Sequence, residues 1–274
     1  MRRLVNLQPS RASALVLSLL PFVLLAIVYL MASDARLQEN PNDKMLPSIG
    51  SFVEAVKHYA FEADKRSGQI LLWSDTWASV TRLTQGLAAS AIIGLVAGIA
   101  LGVIPFIGAT FGPFVAALSL IPPLAVLPIL FIVFGLGEAA KVVLITVGIA
   151  PFIVRDVAMR IHELPREQLI KAQTLGASSW TLVLRVVLPQ IVPRLIDALR
   201  LSLGAAWLFL IAAEAIAAED GLGYRIFLVR RYLAMDVILP YVVWITLLAY
   251  AMDYVLARLS HVMFPWYQTG ANRR

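Results

Sequence analysis

The sequence predicts an all-α integral membrane protein with six transmembrane helices and both termini cytoplasmic. Three observations carry this. A hydrophobic content of 60%, a mean hydropathy of +0.81 and only 15% charged residues give 274 residues more apolar surface than a soluble core of that size hides. Apolar stretches of membrane-crossing length recur along the chain. Basic residues gather in the segments that an even number of crossings returns to the starting side. The net charge of +6 does not suggest nucleic acid, because the arginines are scattered among apolar runs rather than massed with aromatics on one face. Cysteine is absent, which excludes a disulfide framework and a thiolate metal site.

The first unit, residues 1–31, is a cytoplasmic tail with Arg2, Arg3 and Arg11 followed by a span over Ala12 to Met31. A cleaved signal peptide is the competing reading. The run exceeds the ~7–15 apolar residues of a signal core and has no obvious small-x-small site directly after it, so an anchor is preferred. Residues 32–75 hold seven acids against five bases and are assigned outside, with a short surface helix over Ser51 to Phe61. His58 in that helix has no second ligand at a metal spacing.

Residues 76–258 form a core of five further spans. The second, Leu83 to Ile104, carries Ser90, Gly94, Gly98 and Gly102 at four-residue spacing, a flat stripe for close helix packing, read as intramolecular in preference to a subunit contact. Pro105 to Pro113 reads as an uncharged turn. The third span, Leu118 to Glu138, contains Pro122, Pro123 and Pro128, which remove N–H donors and interrupt the helix. Irregular backbone at membrane depth is tolerated only inside protein or along a water-filled cavity, so these prolines are candidates to line a translocation path. Glu138 and Lys141 are spaced for an i,i+3 ion pair ahead of a fourth span over Val142 to Val154. The fifth span, Arg194 to Ala218, aligns Trp207, Ile211, Glu214 and Ala218 on one face. An acid in a span must face protein or water, which makes Trp207 and Glu214 path candidates, with Arg225, Arg230 or Arg231 as possible partners for the carboxylate. The sixth span covers Val237 to Leu256, and residues 259–274 form a cytoplasmic tail.

Between the fourth and fifth spans, residues 155–193 form a polar loop. From Arg155 to Arg200 seven bases face four acids, which places it in the cytoplasm. Pro165 suits a helix start and Gly176 the position beyond a helix end. Leu169, Ala172 and Leu175 recur at three-residue spacing as a narrow apolar stripe beside Glu167. Ser178 or Ser179 can cap a second helix ending before Pro189. A short half-apolar helix between spans is suited to docking on something soluble.

At this loop the chain resembles a permease subunit of an ATP-binding-cassette importer, in the nitrate, sulfonate, taurine and bicarbonate branch. Ala172, Gly176, Val186, Leu188 and Pro189 match the family's loop motif, while Ile170 and Lys171 stand where Glu and Ala are common. The resemblance extends through Ile121-Pro122-Pro123-Leu124-Ala125 and Pro128, Phe134-Gly135-Leu136-Gly137-Glu138, Thr174 to Ser178, Ala206-Trp207, Ala213-Glu214 and Gly221 to Tyr224. It implies a type I importer permease fold in the bacterial cytoplasmic (inner) membrane. It also implies a homodimer of permeases, two cytoplasmic ATP-binding subunits that hold ATP and Mg, and an external or periplasmic binding protein. The implied cargo is a small nitrogen- or sulfur-containing solute such as nitrate, a sulfonate or taurine. Glu167, Leu169, Ala172, Leu175, Gly176 and Pro189 become the residues that couple the chain to its ATPase.

Other classes fit less well. No Gly-x-x-x-x-Gly-Lys-Ser/Thr loop occurs, so ATP hydrolysis belongs to a partner and this chain is read as non-catalytic. A membrane enzyme lacks a His-Glu-x-x-His or a convincing acid pair. A proton-coupled secondary transporter would have Glu214 as its one proton carrier in a span and shows no inverted repeat. Within the importer class, an anion meeting Glu214 in a path would be repelled, which keeps a neutral or cationic nitrogen compound, such as urea, an amine or a guanidinium, as the alternative cargo.

Overall fold

A computed structural model of the chain describes residues 10–40, 43–65 and 67–267. The predicted tails marked by Arg2, Arg3, Arg273 and Arg274 lie outside them. All regular structure among the described residues is helical. α1 (Arg11–Glu39) is about 44 Å long at ~1.5 Å per residue, ample for a crossing. It stands apart from the core, with nearly every described side chain along it exposed. Only its last turns are tied down: Tyr29 and Ser33 donate to the carbonyls of Pro47 and Leu46 at 2.8 and 2.9 Å, and Arg36 pairs with Asp43 at 2.6 Å. α2 (Ile49–Phe61) is capped by the Ser48 hydroxyl and starts two residues before the helix expected over Ser51 to Phe61.

The bundle proper begins with α3 (Leu71–Val103) laid along α6 (Glu138–His162). The small residues of α3 face α6, and a Cβ added at Gly86, Gly94, Gly98 or Gly102 would lie within 3 Å of Ile145, Ile153, Val157 or Ile161. The glycine stripe is therefore an intramolecular seam: bulky β-branched residues of α6 fill the groove that missing side chains leave on α3. α6 starts earlier and ends later than the predicted fourth span, so it is no short crossing but one of 25 residues.

The predicted turn at Pro105 to Pro113 is instead α4 (Pro105–Leu118), with Pro105 in its first turn, where a missing N–H costs nothing. The third span is correspondingly not one helix. α4 and α5 (Pro123–Phe134) meet at 94° across Ser119 to Pro122, because Pro122 and Pro123 offer no donors to continue α4. Among the described residues, five helices are long and apolar enough to cross a membrane, and six when this bent pair counts as one span.

α7 (Arg166–Thr174) and α8 (Ser179–Leu182) follow. A π turn, Val183–Val187, then joins α8 directly to α9 (Leu188–Ala217), so no helix end precedes Pro189 and Pro193 lies inside α9 rather than opening it. Pro189 cannot donate to the carbonyl of Arg185, and the wider turn shifts the pattern instead, with Leu188 N–H bonding Val183. α10 (Leu222–Val229) lies across the end of α9 against α11 (Met235–Met263), which Arg200 and Asp253 fasten to α9 at 2.8 Å.

Candidate functional site

At one end of the bundle, α3 presents Asp75, Ser79 and Arg82 on one face, at i, i+4 and i+7. All three are buried, and each is fully engaged. Arg82 Nη1 donates to Glu214 Oε1 at 2.8 Å and to the Asp220 carbonyl at 3.1 Å. Its Nη2 reaches Glu138 Oε1 at 2.8 Å and the Asp220 carboxylate, and its Nε reaches Glu138 Oε2. One planar guanidinium therefore bridges α3, α6, α9 and the α9–α10 loop, a task a lysine's point charge would not perform.

Glu214 is fully buried, yet both oxygens are satisfied. Ser79 Oγ donates to it at 2.8 Å, and the Gly223 N–H donates at 2.8 Å. The Leu222 N–H donates in turn to Ser79 Oγ at 2.8 Å, and the Gly221 N–H to Asp75 at 3.0 Å. The free N–H groups opening α10 thus point at oxygens of α3 and α9, the favourable polarity for a helix start. Asp75 also pairs with Arg225 at 2.8 Å and accepts from Tyr241 of α11 at 3.3 Å, while Lys141 holds Glu138 at 2.7 Å, as the i,i+3 spacing predicted.

Gly221 closes this clamp at φ +113°, and a Cβ there would lie 2.5 Å from Glu214 Oε1 and 2.8 Å from Arg82 Nη1. Sequence reading missed Asp75, Ser79 and Arg82. The available signal was their heptad-like polar spacing, obscured by beginning the second span at Leu83.

At the other end, α7 forms an elbow. Gly176 has φ +79°; its N–H bonds the Gln173 carbonyl at 2.9 Å, and the Ala177 N–H bonds the Ala172 carbonyl at 3.0 Å, the paired bonds of a glycine-terminated helix. Ser178 caps α8 by accepting from the Thr181 N–H at 3.2 Å. The expectation that Leu169, Ala172 and Leu175 form one stripe is corrected. Leu169 and Ala172 pack partly buried against the chain's own core, whereas Leu175 is 88% exposed. Each three-residue step drifts about 60° around a helix, and α7 ends at Thr174, so Leu175 swings away. The outward apolar surface is Leu175 with Ile170 and, across the elbow, Trp180 at 71% exposed. Glu167 is exposed in the first turn of α7, and Pro189 is half-buried in α9. Gln190 donates to Gln168 at 3.2 Å, fastening α7 to α9.

A family model described as "Binding-protein-dependent transport system inner membrane component" matches residues 90–265, from the second half of α3 through α11 and including the elbow. The chain belongs to this family. It is 34% identical to the taurine transport system permease protein TauC of Escherichia coli over 72% of this chain and 71% of that one. It is 33% identical to the nitrate import permease protein NrtB of Synechococcus elongatus over 54% of this chain and 53% of the relative. For the putative aliphatic sulfonates transport permease protein SsuC of Escherichia coli the identity is 31%, over 53% and 56%. In fold it is similar to the MetNI methionine ABC transporter solved in inward-facing conformations, with a TM-score of 0.63 at 24% identity over 73% of this chain and 99% of that chain.

The chain is thus an ABC importer permease subunit, a non-catalytic, multi-pass component of the bacterial inner membrane. In the permease, Trp207 and Glu214 are buried inside the protomer instead of on a surface a solute can reach. The Trp207 indole Nε1 has no hydrogen-bond partner. Glu214 pairs with Arg82, while Arg225 serves Asp75 and not Glu214. Pro122 and Pro128 are exposed and Pro123 half-buried along the bent α4–α5 pair.

Proposed function

We propose that two copies of this permease form the passage for a small sulfur- or nitrogen-containing anion of the sulfonate or nitrate kind, driven by a separate ATPase that seats the α7 elbow. The observation carrying this reading is the elbow. An apolar surface of Ile170, Leu175 and Trp180 stands outside the bundle on an elbow whose α7 packs back through Leu169 and Ala172 and whose α8 runs through the π turn into α9 without a break. A push on such a surface moves α9 as a lever, and a shallow groove on a soluble partner is the natural seat for it. The basic loop around it supports a cytoplasmic position.

The cargo class is supported by the taurine, nitrate and aliphatic sulfonate relatives named above. The motive for a cationic cargo was an acid in the path, and Glu214 is occupied by Arg82, Ser79 and Gly223 instead. Pro122 and Pro128, with the exposed α4–α5 surface that includes Ile132 at 84% exposure, become the candidate path and contact with the second copy.

The test uses the assembled complex in proteoliposomes with its binding protein. Leu175→Glu and Gly176→Trp are expected to insert and assemble at the wild-type level while losing at least tenfold of the ATPase stimulation that binding protein loaded with taurine or nitrate produces. Full stimulation in both variants refutes the lever.

A further inference from the structure

At the clamp end of the bundle, α2, the first turns of α3 and the first half of α11 enclose an apolar cavity of about 320 Å³. Tyr59, Phe61, Trp73, Tyr241, Trp244 and Leu247 are among its walls. Three polar tips in the wall are turned away and satisfied: Trp73 Nε1 donates to the Ala60 carbonyl at 3.0 Å, Trp244 Nε1 to Thr76 at 2.9 Å, and the Tyr241 hydroxyl to Asp75. The lining surface is almost wholly apolar, so the cavity offers an occupant chiefly hydrocarbon contact. An apolar cavity of ~150 Å³ stays dry and takes a six-carbon ring, so this one has room for a chain of roughly ten to twelve carbons.

Where it opens identifies the occupant. Leu247 and its wall neighbour Val243 are exposed on α11, a membrane span, so the mouth lies at hydrocarbon depth. The exposed Trp73 and Trp77 lie in the first two turns of α3, at the end of a span, where indoles favour the boundary of a bilayer. Across Val56 and Phe61 the cavity continues into a shallow groove on α2 whose rim holds Lys57. Hydrocarbon below and an ammonium above form the pattern of a phospholipid: an acyl chain below and a phosphate paired with the lysine.

We propose that this cavity is a bound-phospholipid site, holding one acyl chain of an outer-leaflet lipid between α2 and α11 with its phosphate on Lys57. The site shares Tyr241 with the charge clamp, so the lipid braces the wall on which Asp75 rests.

The complex is purified in detergent from membranes, washed, and its phospholipid counted by extraction and native mass spectrometry. Wild type is expected to retain about one phospholipid per permease chain beyond the amount retained by V243F/L247F, which fills the cavity. Lys57→Glu is expected to lower retention at least threefold while leaving the cavity open. In vesicles of phosphatidylethanolamine and phosphatidylglycerol (3:1) with brominated acyl chains, quenching of tryptophan fluorescence should fall in V243F/L247F, which still contains Trp73 and Trp244. Equal retention in wild type and both variants overturns the site. Loss of phospholipid in V243F/L247F but not in Lys57→Glu overturns the phosphate contact on Lys57, and a free fatty acid in place of phospholipid in the wild-type extract overturns the phospholipid. Because the chain has no cysteine, Phe61→Cys gives a single thiol; efficient disulfide dimers through it would show that a second copy, not lipid, covers the mouth.

Discussion

The two ends of the permease solve opposite problems. At the clamp, three bases and four acids are drawn together from α3, α6, α9, the α9–α10 loop and α10, and the carboxylates and guanidinium at its centre are saturated within the chain. At the elbow, α7 has no fully buried residue, and although Leu169 and Ala172 pack inward, Ile170, Leu175 and Trp180 stand exposed. A closed polar network has no valence left for a ligand and specifies one arrangement of helices. An open apolar surface is incomplete until something covers it. The difference separates an end closed on itself from an open one, which under the proposed coupling is the handle that moves the bundle.

Breaking the closed end should have the largest effect. Arg82→Ala leaves Glu214 buried without its cation, and loss of one partner of a buried pair costs about 3–5 kcal/mol. The expected outcome is a permease that inserts poorly and melts far earlier in detergent; a wild-type melting temperature would show the clamp to be ornamental.

Two glycines sharpen the contrast, because both have positive φ but only one is crowded. Gly221→Ala adds a Cβ against Glu214 and Arg82 to the backbone strain, and should cost about 2–3 kcal/mol. Gly176→Ala meets open space and should cost about 1 kcal/mol from strain alone. Melting curves of the pair side by side check this, and an equal loss would remove the crowding argument.

The smallest effect belongs to Leu175→Glu. Its side chain is 88% exposed, so stability should change by less than about 0.5 kcal/mol while coupling is lost. A large drop in melting temperature would place Leu175 in the fold rather than on the handle.

The spans were legible because hydrocarbon demands long apolar runs, and the elbow was legible because Pro165, Gly176 and Ser178 are local signals with local causes. α4 was hidden by the same reasoning: Pro105 and Pro113 read as a turn, although a proline in a first turn is compatible with helix. The clamp was half visible. Glu214 announced that some partner must exist, but Arg82 lies 132 residues away, and nothing local distinguishes it from Arg225 or Arg230. The inward packing of Leu169 and Ala172 depends likewise on which face of α7 meets the bundle, which spacing alone leaves open.

The π turn at Val183–Val187 gives the handle an adjustable phase. It holds one residue more per hydrogen-bonded loop than the helices on either side. Deleting one residue there would restore ordinary helical winding and rotate α8, with Trp180, by about 100° relative to α9. The direction in which the elbow faces its partner is thus set by a single residue of surplus backbone, like the timing mark on a camshaft.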